Sequence, residues 1–569
     1  MSTVPSSDLH PSRKARHVFA DAQRWRTLAL PQVFERGAAD GERPAIVFSG
    51  AVRSWRQMRE QSRRVGNALV GLGIEAADRV ALLSKNRLEY LEIETGIAAA
   101  CAIMVPVNWR LRSGEIESIL NRSGAVAIFV DADAAPTLRE LRRDGRLPLI
   151  RAVVLLDGEA RDGEARDGEN GYRVLVDGAS SAAVPREPHF DDPHEILYTS
   201  GTTGDPKGAV WTNGGLFFNS IQQVIDYRMG PESSTFAMID LFYVGGRHDL
   251  TWAALHAGGT VHVKPSGGFD AHAALDYVCE HRITHVLWVP TMIYGILRLA
   301  DLQRFDTSAL RMIMCGGQVL SADAVRQMQA AFPHTDFVQV YGLTEGGGSV
   351  TCMPPHMTLT KPGSSGRASL NAAIRIVGEN GDALPVGSDG EILVRAPSVI
   401  AGYWDDAALT AQQIVDDWLH TGDIGRLDDD GYLYVTGRKK DMIKCGGMNV
   451  APAEIEDVLR AHPAVFNGLK PQGLTKELDA RLNAQLESIL DIFRACVQEL
   501  AGCTREQAEA EVGLHYSVLF GLLILYHTHR TRVFHIDARR VLEMHVRDAT
   551  ERLAKGIAPP VAGRRRKAA

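Results

Sequence analysis

The segment YTSGTTGDPKG, residues 198–208, follows directly after the strand-like residues HEIL, 194–197. A strand that runs into a glycine-rich loop is typical of an α/β sheet, in which ligands lie in loops at the carboxyl ends of the strands. Glycine lets the backbone approach a phosphate closely, while hydroxyls supply donors and a lysine supplies positive charge. These groups are Thr199, Ser200, Thr202, Thr203 and Lys207. We interpret the segment as a loop that binds a polyphosphate.

The loop differs from the nucleotide-binding pattern G-x-x-x-x-G-K-[ST]. Its lysine stands three residues after Gly204, the last glycine within the loop, and neither Ser nor Thr follows that lysine. The alternative interpretation is a flexible Gly/Thr linker. A linker has no use for the ordered strand before the loop or for the Pro206-Lys207 pair, so we favour the phosphate site.

Helix-like and strand-like stretches alternate on both sides of the loop. The patterns predict helices over 55–72 and 90–102, and strands over 79–83, 126–130, 286–289, 312–314 and 337–340. Such alternation predicts a parallel sheet of βαβ units. Short strands with polar turns over 373–435 predict a small antiparallel β subdomain. The predicted fold class is therefore α/β: a large N-terminal domain of layered sheets and helices with a small β subdomain.

Length and composition exclude several classes of protein. The chain has 569 residues, and at ~100 to 200 residues per domain this allows three or four structural units. A net charge of -7 argues against binding to nucleic acid, and seven cysteines without a C-x-x-C pair argue against a zinc or disulfide framework. The N-terminus does not read as a secretory signal, and the longest apolar run, 518–526, is too short to span a bilayer. We expect a cytoplasmic protein.

Further motifs follow the loop in a fixed order. They are VYGLTEGGG (340–348), GYW (402–404) and WLHTGDIGRLDDDGYLYVTGRKKDMIKCGGMNVAPAEIE (418–456). Together with the loop, they resemble the adenylate-forming enzymes, the family of acyl-CoA synthetases, luciferases and peptide-synthetase adenylation domains. The resemblance covers roughly residues 25–465.

The resemblance implies a reaction in two steps, with ATP, Mg²⁺ and CoA as cofactor and co-substrates. A carboxylate, which we take to be a fatty acid, attacks the α-phosphorus of ATP and expels pyrophosphate. A thiol then attacks the mixed anhydride and expels AMP. Positioning and charge stabilisation carry most of this chemistry, because the protein supplies no covalent intermediate.

The resemblance also assigns residues to the nucleotide. It implies that Tyr341 stacks on the purine, that Gln339 bonds the purine edge, and that Asp423 accepts from the ribose hydroxyls, with Arg438 following at the domain boundary. We assign Thr344, Glu345 and Lys207 as catalytic, Glu345 and Thr203 as Mg²⁺ ligands, and the loop residues Thr199, Ser200, Gly201, Thr202, Thr203 and Gly204 as phosphate ligands. A solvated surface position is the alternative for Asp423, but Trp418 and the Thr-Gly turn before it favour a packed site.

The acyl and thiol sides carry departures from the family pattern. Tyr243 stands where a histidine is usual, and Asn213 stands where many relatives have another histidine. We expect Tyr243 to line the acyl pocket or the thiol tunnel, with a plain core aromatic as the alternative. Gly316, Gly317 and the glycines 346–348 are expected to leave the acyl channel roomy. Lys444, Gly446 and Gly447 are expected to face CoA.

The resemblance ends after Val465. Nothing beyond it matches the family lid or the lysine that contacts the α-phosphate during adenylation, so we expect that step to be impaired. The remaining residues predict three helices, over 474–501, 505–527 and 537–555, and scattered histidines without metal spacing.

We therefore divide the chain into an adenylation domain, a truncated lid and a helical tail that self-associates. Their ranges are 1–438, 439–465 and 466–569. The rival hypothesis is a nucleotide- or acyl-ligand-binding protein that has lost turnover and uses its tail for oligomerisation or regulation.

Overall fold

The segments that alternate in the sequence fold into two large sheets with helices packed against them. The computed structural model describes residues 30–36, 41–157, 169–199 and 206–439, and the backbone of 443–445 and 448–450. All of them belong to the first of the two units into which the chain divides, residues 1–455. The predicted helical tail and most of the predicted lid lie outside the described residues.

In chain order, the strands in the described ranges are β1 (Pro44–Phe48), β2 (Ala51–Ser54), β3 (Arg79–Leu83), β4 (Ile103–Val107), β5 (Ala125–Val130), β6 (Ala152–Leu155), β7 (Glu169–Gly171), β8 (Pro193–Thr199), β9 (Lys207–Thr212), β10 (Ser234–Ala237), β11 (Thr260–Val263), β12 (His285–Leu287), β13 (Met312–Cys315), β14 (Asp336–Gln339), β15 (Gly342–Leu343), β16 (Gly348–Ser349), β17 (Thr351–Cys352), β18 (Arg367–Ala368), β19 (Ala373–Val377), β20 (Gly390–Arg395), β21 (Gly402–Tyr403), β22 (Ile414–Val415), β23 (Trp418–Leu427), β24 (Leu433–Arg438), β25 (Ile443–Cys445) and β26 (Met448–Val450).

The α-helices in the same ranges are α1 (Pro31–Arg36), α2 (Trp55–Gly71), α3 (Tyr90–Ala99), α4 (Ser113–Ser123), α5 (Ala135–Arg143), α6 (Tyr172–Asp177), α7 (Asn213–Asp226), α8 (Val244–Arg247), α9 (Thr251–His256), α10 (Ala271–Glu280), α11 (Pro290–Leu297), α12 (Ala322–Ala331) and α13 (Ala407–Gln413). None of the helices in the described part of the chain has both the length and the hydropathy needed to cross a bilayer.

Local chemistry explains where these elements begin and end. Helix α2 starts with a capping box, in which the Ser54 hydroxyl accepts from Gln57 N and the Gln57 side chain accepts from Ser54 N. The predicted helix over 90–102 is three residues too long, because Cys101 has a left-handed φ of 54° and Ile103 already begins β4. Strands β3 and β5 are apolar and buried on both faces, as expected for parallel strands covered by helices.

The two large sheets confirm the predicted α/β class. The first has eight strands in the order β21-β9-β8-β4-β3-β5-β6-β7, with parallel pairing from β8 to β7. The second has seven strands in the order β14-β13-β12-β10-β11-β1-β2 and is parallel except for the β1-β2 hairpin. In such sheets the carboxyl ends of the strands share one edge, where ligands bind. The ends of β13 and β14 therefore place residues 316–317 and 340–345 beside each other.

The predicted β subdomain is the antiparallel sheet β19-β20-β23-β22, to which β24 adds by pairing with β23. Its inner face packs Ile376, Ile392 and Val394 against Tyr341 and Val350. This packing fixes β23 and β24 close to the loop that follows β14.

Candidate functional site

The phosphate loop is described at its two ends. Residues 200–205, which include the predicted ligands Ser200, Gly201, Thr202, Thr203 and Gly204, lie outside the described residues. Thr199 ends β8 and Lys207 begins β9, and the two are partners in the antiparallel register. The structure thus brings together the hydroxyl and the amine that flank the predicted cradle.

Glu345, in the turn that follows β14, lies beside these two ends of the phosphate loop. The Thr199 hydroxyl donates to Glu345 Oε1 at 3.4 Å, across 146 residues of sequence. The Tyr403 hydroxyl also bonds Glu345, and burial together with the carboxylate charge raises the pKa of Tyr403 well above its usual value. Lys207 Nζ lies 6.0 Å from the centre of the Tyr403 ring. The predicted catalytic residues Glu345 and Lys207 therefore share one site with Thr199.

Tyr403 is a site residue that the sequence analysis did not assign, although it is the centre of the GYW motif. Strand β21 pairs with β9, placing Tyr403 opposite Ala209, and Trp404 N donates to Gly208 O at 2.7 Å. The motif adds a strand to the phosphate-loop hairpin and holds a phenol over it. In the sequence, the cue was the pair of aromatic residues that follows Gly402. In the structure, Gly402 has a φ of 147°, which disfavours other residues at this position.

Thr344 lies half-buried in the same turn, where its carbonyl accepts from Gly347 N at 3.2 Å. Gly347 and Gly348 have φ values of 83° and 85°. A Cβ on Gly347 would lie 2.0 Å from Ser398 O, and one on Gly348 would lie 2.8 Å from Asn219 Oδ1. Our expectation that these glycines widen the acyl channel was wrong, since they are packed against the protein.

Gly316 and Gly317 behave differently at the end of β13. Gly317 has a φ of 86°, and a Cβ built on it meets no described atom within 4 Å. Gly316 is also free of close contacts except for Val340 Cγ2 at 3.1 Å. The open space beside Gly317 is compatible with the predicted acyl channel.

Asp423 forms the second part of the site. The Tyr341 hydroxyl donates to Asp423 Oδ2 at 2.8 Å, and Arg438 Nε lies 3.1 Å from Oδ1. Asp423 and Arg438 are register partners on β23 and β24, so the sheet itself sets this pair. Burial, and then the Asp423 charge, raises the pKa of Tyr341 well above its usual value, which keeps the phenol protonated as a donor. Asp423 is buried, so a solvated surface position is wrong for it.

Gln339 does not present its amide to a ligand. Its Oε1 accepts from Leu320 N at 2.7 Å, its Nε2 reaches Ser364 O at 3.5 Å, and the side chain is buried. The assignment of Gln339 to a purine edge is corrected accordingly. The amide joins the loop after β13 to the segment before β18.

The structure places the remaining predicted residues as follows. Tyr243 is 50% exposed and lies against Phe242 with ring centres 4.2 Å apart and ring planes tilted by 40°, so the core-aromatic alternative is wrong. Asn213 is buried and donates to His189 O at 2.9 Å, a contact within the scaffold. Lys444 lies on β25, for which only the backbone is described, and Gly446 and Gly447 lie outside the described residues.

A buried charged cluster was missed entirely. Arg247 lies against Glu94 and Glu195, with its Nε 3.1 Å from Glu94 Oε1, and all three side chains are fully buried. Burial alone would raise the pKa of Glu195, but Arg247 and His248 lower it to about 2. His194 joins through Nε2 at 3.1 Å from Glu94 Oε1. We call these five residues the closed cluster.

The closed cluster also has the geometry of a metal site. Ligand atoms of Glu94, His194 and Glu195 lie within 4.8 Å of one another. The Arg247 guanidinium, however, already supplies the positive charge between the two carboxylates. Each of Glu94, Glu195 and Arg247 interrupts an apolar stretch of the sequence. Charged residues are rarely buried without a partner, so these three positions were the cue that a buried charged cluster exists.

Comparisons with known proteins agree with this geometry. Residues 33–404 match the family model described as AMP-binding enzyme. The chain is 34% identical over 423 residues to the indoleacetate–CoA ligase of Aromatoleum aromaticum, covering 74% of this chain and 80% of the relative. It is 32% identical over 415 residues to the long-chain-fatty-acid–CoA ligase FadD13 of Mycobacterium tuberculosis, covering 72% and 78%.

Solved structures give the same result. The anthranilate CoA ligase AuaEII in complex with anthranoyl-AMP superimposes with a TM-score of 0.70 at 26% identity, covering 77% of this chain and 83% of that one. The N-terminal domain of FACL13 from Mycobacterium tuberculosis superimposes with a TM-score of 0.66 at 26% identity, covering 72% and 99%. The chain belongs to the adenylate-forming AMP-binding enzymes, in their acyl-CoA synthetase group.

Proposed function

We propose that this protein activates a carboxylic acid with ATP as acyl-AMP and transfers the acyl group to CoA. The observation that carries the proposal is the contact between Thr199 and Glu345. It joins the edge of the phosphate loop on one sheet to the turn after β14 on the other. A polyphosphate held beside Thr199 and Lys207 would thus lie next to the carboxylate of Glu345.

Glu345 is suited to hold Mg²⁺. Its side chain is half-buried and contacts the hydroxyls of Thr199 and Tyr403. None of the ion pairs among the described residues involves it. A hard oxygen ligand in this environment fits Mg²⁺, and Thr203 is the second proposed ligand. When bound, the ion would offset charge on the pyrophosphate leaving group.

Asp423 is proposed to bind the ribose. Asp423 is buried, its Oδ2 accepts from the Tyr341 hydroxyl at 2.8 Å, and its Oδ1 lies 3.1 Å from Arg438 Nε. A carboxylate accepts through both of its oxygens, so an acceptor fixed in this way suits the two adjacent hydroxyls of a ribose. Arg438 and Tyr341 hold the carboxylate in place. Nucleotide binding therefore costs no further conformational entropy at the Asp423 side chain.

The class of acid is part of the proposal. The relatives' names include an aromatic acetic acid, an aminobenzoic acid and long-chain fatty acids, so fatty acids are one of two classes to compare. The test is release of AMP by the full chain with ATP, Mg²⁺ and CoA, with and without each acid. Acid-dependent AMP and acyl-CoA formation supports the proposal, whereas ATP binding without AMP release supports the rival hypothesis of a binding protein.

We also propose that the two half-reactions are unequal. The sequence after Val465 does not match the family lid, so the lysine expected at the α-phosphate has no counterpart there. Loss of one preorganised positive group costs ~10² to 10³ in rate. Single-turnover measurement should therefore give slow acyl-AMP formation but measurable acyl-CoA formation from supplied acyl-AMP. Adenylation at ~10 s⁻¹, the rate of an ordinary enzyme, would contradict this.

A further inference from the structure

The segment of residues 398–404, which we call the strap, connects the turn that carries Glu345 to the hairpin of the phosphate loop. Near its start, Ile400 N donates to Glu345 O at 3.1 Å. At its end, Trp404 N donates to Gly208 O at 2.7 Å, beside the start of β9. The strap therefore spans the distance from the proposed Mg²⁺ ligand to the proposed phosphate cradle.

Close packing holds the backbone of the strap in place. A Cβ on Gly347 would lie 2.0 Å from Ser398 O, so the turn and the strap are in direct contact. A Cβ on Gly402 would lie 2.7 Å from Thr410 Cγ2, and Tyr403 N donates to Thr410 Oγ1 at 2.9 Å. The position of Tyr403 is thus set by the backbone on both sides of it.

Strand register places the Tyr403 side chain on the face of the sheet that carries Thr199 and Lys207. Tyr403 lies opposite Ala209, and Lys207 lies opposite Thr199. Side chains two residues apart on a strand point to the same face, so Lys207 and Ala209 share one face. Tyr403 and Lys207 are therefore diagonal neighbours, a spacing that aromatic and long side chains can bridge.

Tyr403 contacts both of the predicted catalytic side chains. Its hydroxyl donates to Glu345, and Lys207 Nζ lies 6.0 Å from its ring centre, at the limit of a cation–π contact. Its side chain is buried, whereas Glu345 and Lys207 are half-buried and form no ion pair among the described residues. Burial, and then the Glu345 charge, raises the pKa of Tyr403 well above its usual value, so the phenol remains a donor.

We infer that Tyr403 is a positioning residue for both side chains: its hydroxyl orients Glu345 toward Mg²⁺, and its ring restrains Lys207 beside the phosphate loop. This rests on the proposed roles of Glu345 and Lys207 in acid activation. Carboxylates that bind metal ions are themselves oriented by hydrogen-bond partners, and loss of such a partner typically costs ~10- to 100-fold in metal affinity or activity. The four-carbon stem of lysine is flexible, so contact with a fixed ring restricts where its charge lies.

The test separates the hydroxyl from the ring by ATP–pyrophosphate exchange in the full chain, with octanoate or phenylpropanoate as the acid. Tyr403→Phe should raise the Mg²⁺ concentration for half-maximal exchange ~10-fold. Its rate at saturating Mg²⁺ should stay close to that of the parent, because the ring still contacts Lys207. Tyr403→Leu should show the same Mg²⁺ requirement and a rate at saturating Mg²⁺ that is lower by a further ~2- to 5-fold.

A second measurement follows the ion without turnover. Titration of Mn²⁺ into the protein with ATP, read by the paramagnetic resonance signal of the free ion, should show ~10-fold weaker ion binding in Tyr403→Phe. In a Glu345→Gln background, the same change should have no further effect, because the two groups act through one contact. A residue that only supports the fold would not show this coupling.

Tyr434 supplies the matched control. Its hydroxyl donates to Asp428 Oδ2 at 3.5 Å, and Arg426 Cζ lies 5.5 Å from its ring centre, so it has the same two kinds of contact in the β subdomain. Tyr434→Phe and Tyr434→Leu should leave the Mg²⁺ requirement and the rate of exchange unchanged. ATP affinity shows whether each variant is folded, and Tyr403→Phe, which keeps the ring, carries the test if Tyr403→Leu does not fold.

The possible results separate this inference from the proposed function. A parental Mg²⁺ requirement in Tyr403→Phe, a loss of rate that is equal at every Mg²⁺ concentration, or an effect that persists in Glu345→Gln would overturn it. Equal rates for folded Tyr403→Phe and Tyr403→Leu at saturating Mg²⁺ would overturn the assignment of the ring to Lys207. Absence of exchange by the parent with both acids would count against acid activation, and the Mn²⁺ titration would then decide the inference alone.

Discussion

Two arginine–carboxylate pairs in this protein differ in how deeply they are buried. In the closed cluster, Arg247 and Glu195 are both fully buried, and Glu94 shares the same guanidinium. At the proposed nucleotide site, the Asp423 side chain is 8% exposed but the Arg438 side chain is 58% exposed. Removing one member of the buried pair would leave an uncompensated charge in the core, whereas the Asp423–Arg438 pair has one partner in solvent.

The closed cluster lies at the junction of segments that are distant in sequence. Arg247 also donates to Leu241 O at 2.6 Å, and Trp252 Nε1 donates to Glu94 Oε1 at 3.2 Å. Burial would lower the pKa of Arg247, but Glu195, Glu94 and Tyr90 raise it above its ordinary value, so the guanidinium stays charged. The cluster thus fixes α3, β8 and α8 relative to one another.

The largest effect should follow from Arg247→Met. This change leaves two buried carboxylates without their cation and should lower the free energy of unfolding by ~3 to 5 kcal/mol. The matched change Arg438→Met should lower it by less than ~1 kcal/mol, because its side chain is largely solvated. Denaturant unfolding of both variants measures the difference. Equal losses would break the distinction between the two pairs.

Glu345→Gln should have the next largest effect, on chemistry alone. The amide keeps the size of the side chain but loses the charge proposed to hold Mg²⁺, so ATP–pyrophosphate exchange should fall ~10² to 10³-fold. Glu379→Gln, at an exposed position of the β subdomain, is the control. Undiminished ATP–pyrophosphate exchange by Glu345→Gln at saturating Mg²⁺ would show that Glu345 does not hold the ion.

Asp423→Ala should weaken ATP binding through the ribose. Each hydrogen bond to a charged acceptor contributes ~1.5 to 3 kcal/mol, so calorimetry should show a loss of tenfold or more in affinity. Asp382→Ala, which removes an exposed carboxylate from the same subdomain, should change nothing. An unchanged affinity for Asp423→Ala would show that the Asp423–Arg438 pair has only a structural role.

The smallest effect concerns pH. Burial raises the pKa of Glu92 to about 7, although Arg53 and the Tyr172 hydroxyl at 2.8 Å lower it. Because the folded pKa exceeds the ordinary value of 4.5, the folded state binds the extra proton, and this contribution to stability is lost as pH rises through about 7. Glu92→Gln should flatten that dependence by an amount on the order of 1 kcal/mol between pH 5 and 8. An unaltered pH profile of unfolding would show that Glu92 is already ionised at pH 5.

The sequence predicted those features that depend on local pattern. The apolar run 79–83 is β3 with the same bounds, and residues 373–435 form the antiparallel subdomain. The resemblance of their motifs to the family implied that Lys207 and Glu345 share one site, and the contact between Thr199 and Glu345 agrees with it. These features need only periodicity and the order of motifs.

Long-range pairing of polar side chains was not predictable in this way. Arg247 and Glu195 are 52 residues apart, and nothing in the periodicity of either segment indicates the other. Gln339 was misassigned for the same reason, because its position in the motif does not reveal that Leu320 N binds its side chain. Such contacts depend on how strands pair and how the sheets and helices pack, which the local sequence pattern does not reveal.

The most direct test of the comparison is stabilisation by ATP–Mg²⁺ in three proteins. They are the parent, Asp423→Ala and the double variant Glu195→Gln/Arg247→Met, in which a neutral pair replaces one of the buried ion pairs. Ligand at 100 times its Kd should stabilise the parent by ~2.7 kcal/mol, and should do the same for the double variant whatever its own stability. At the same ligand concentration, a tenfold or greater loss of affinity in Asp423→Ala should reduce the increment to ~1.4 kcal/mol or less. A full increment in Asp423→Ala, or its loss in a folded double variant, would contradict the assignment of the Asp423–Arg438 pair to nucleotide binding and of the closed cluster to the fold.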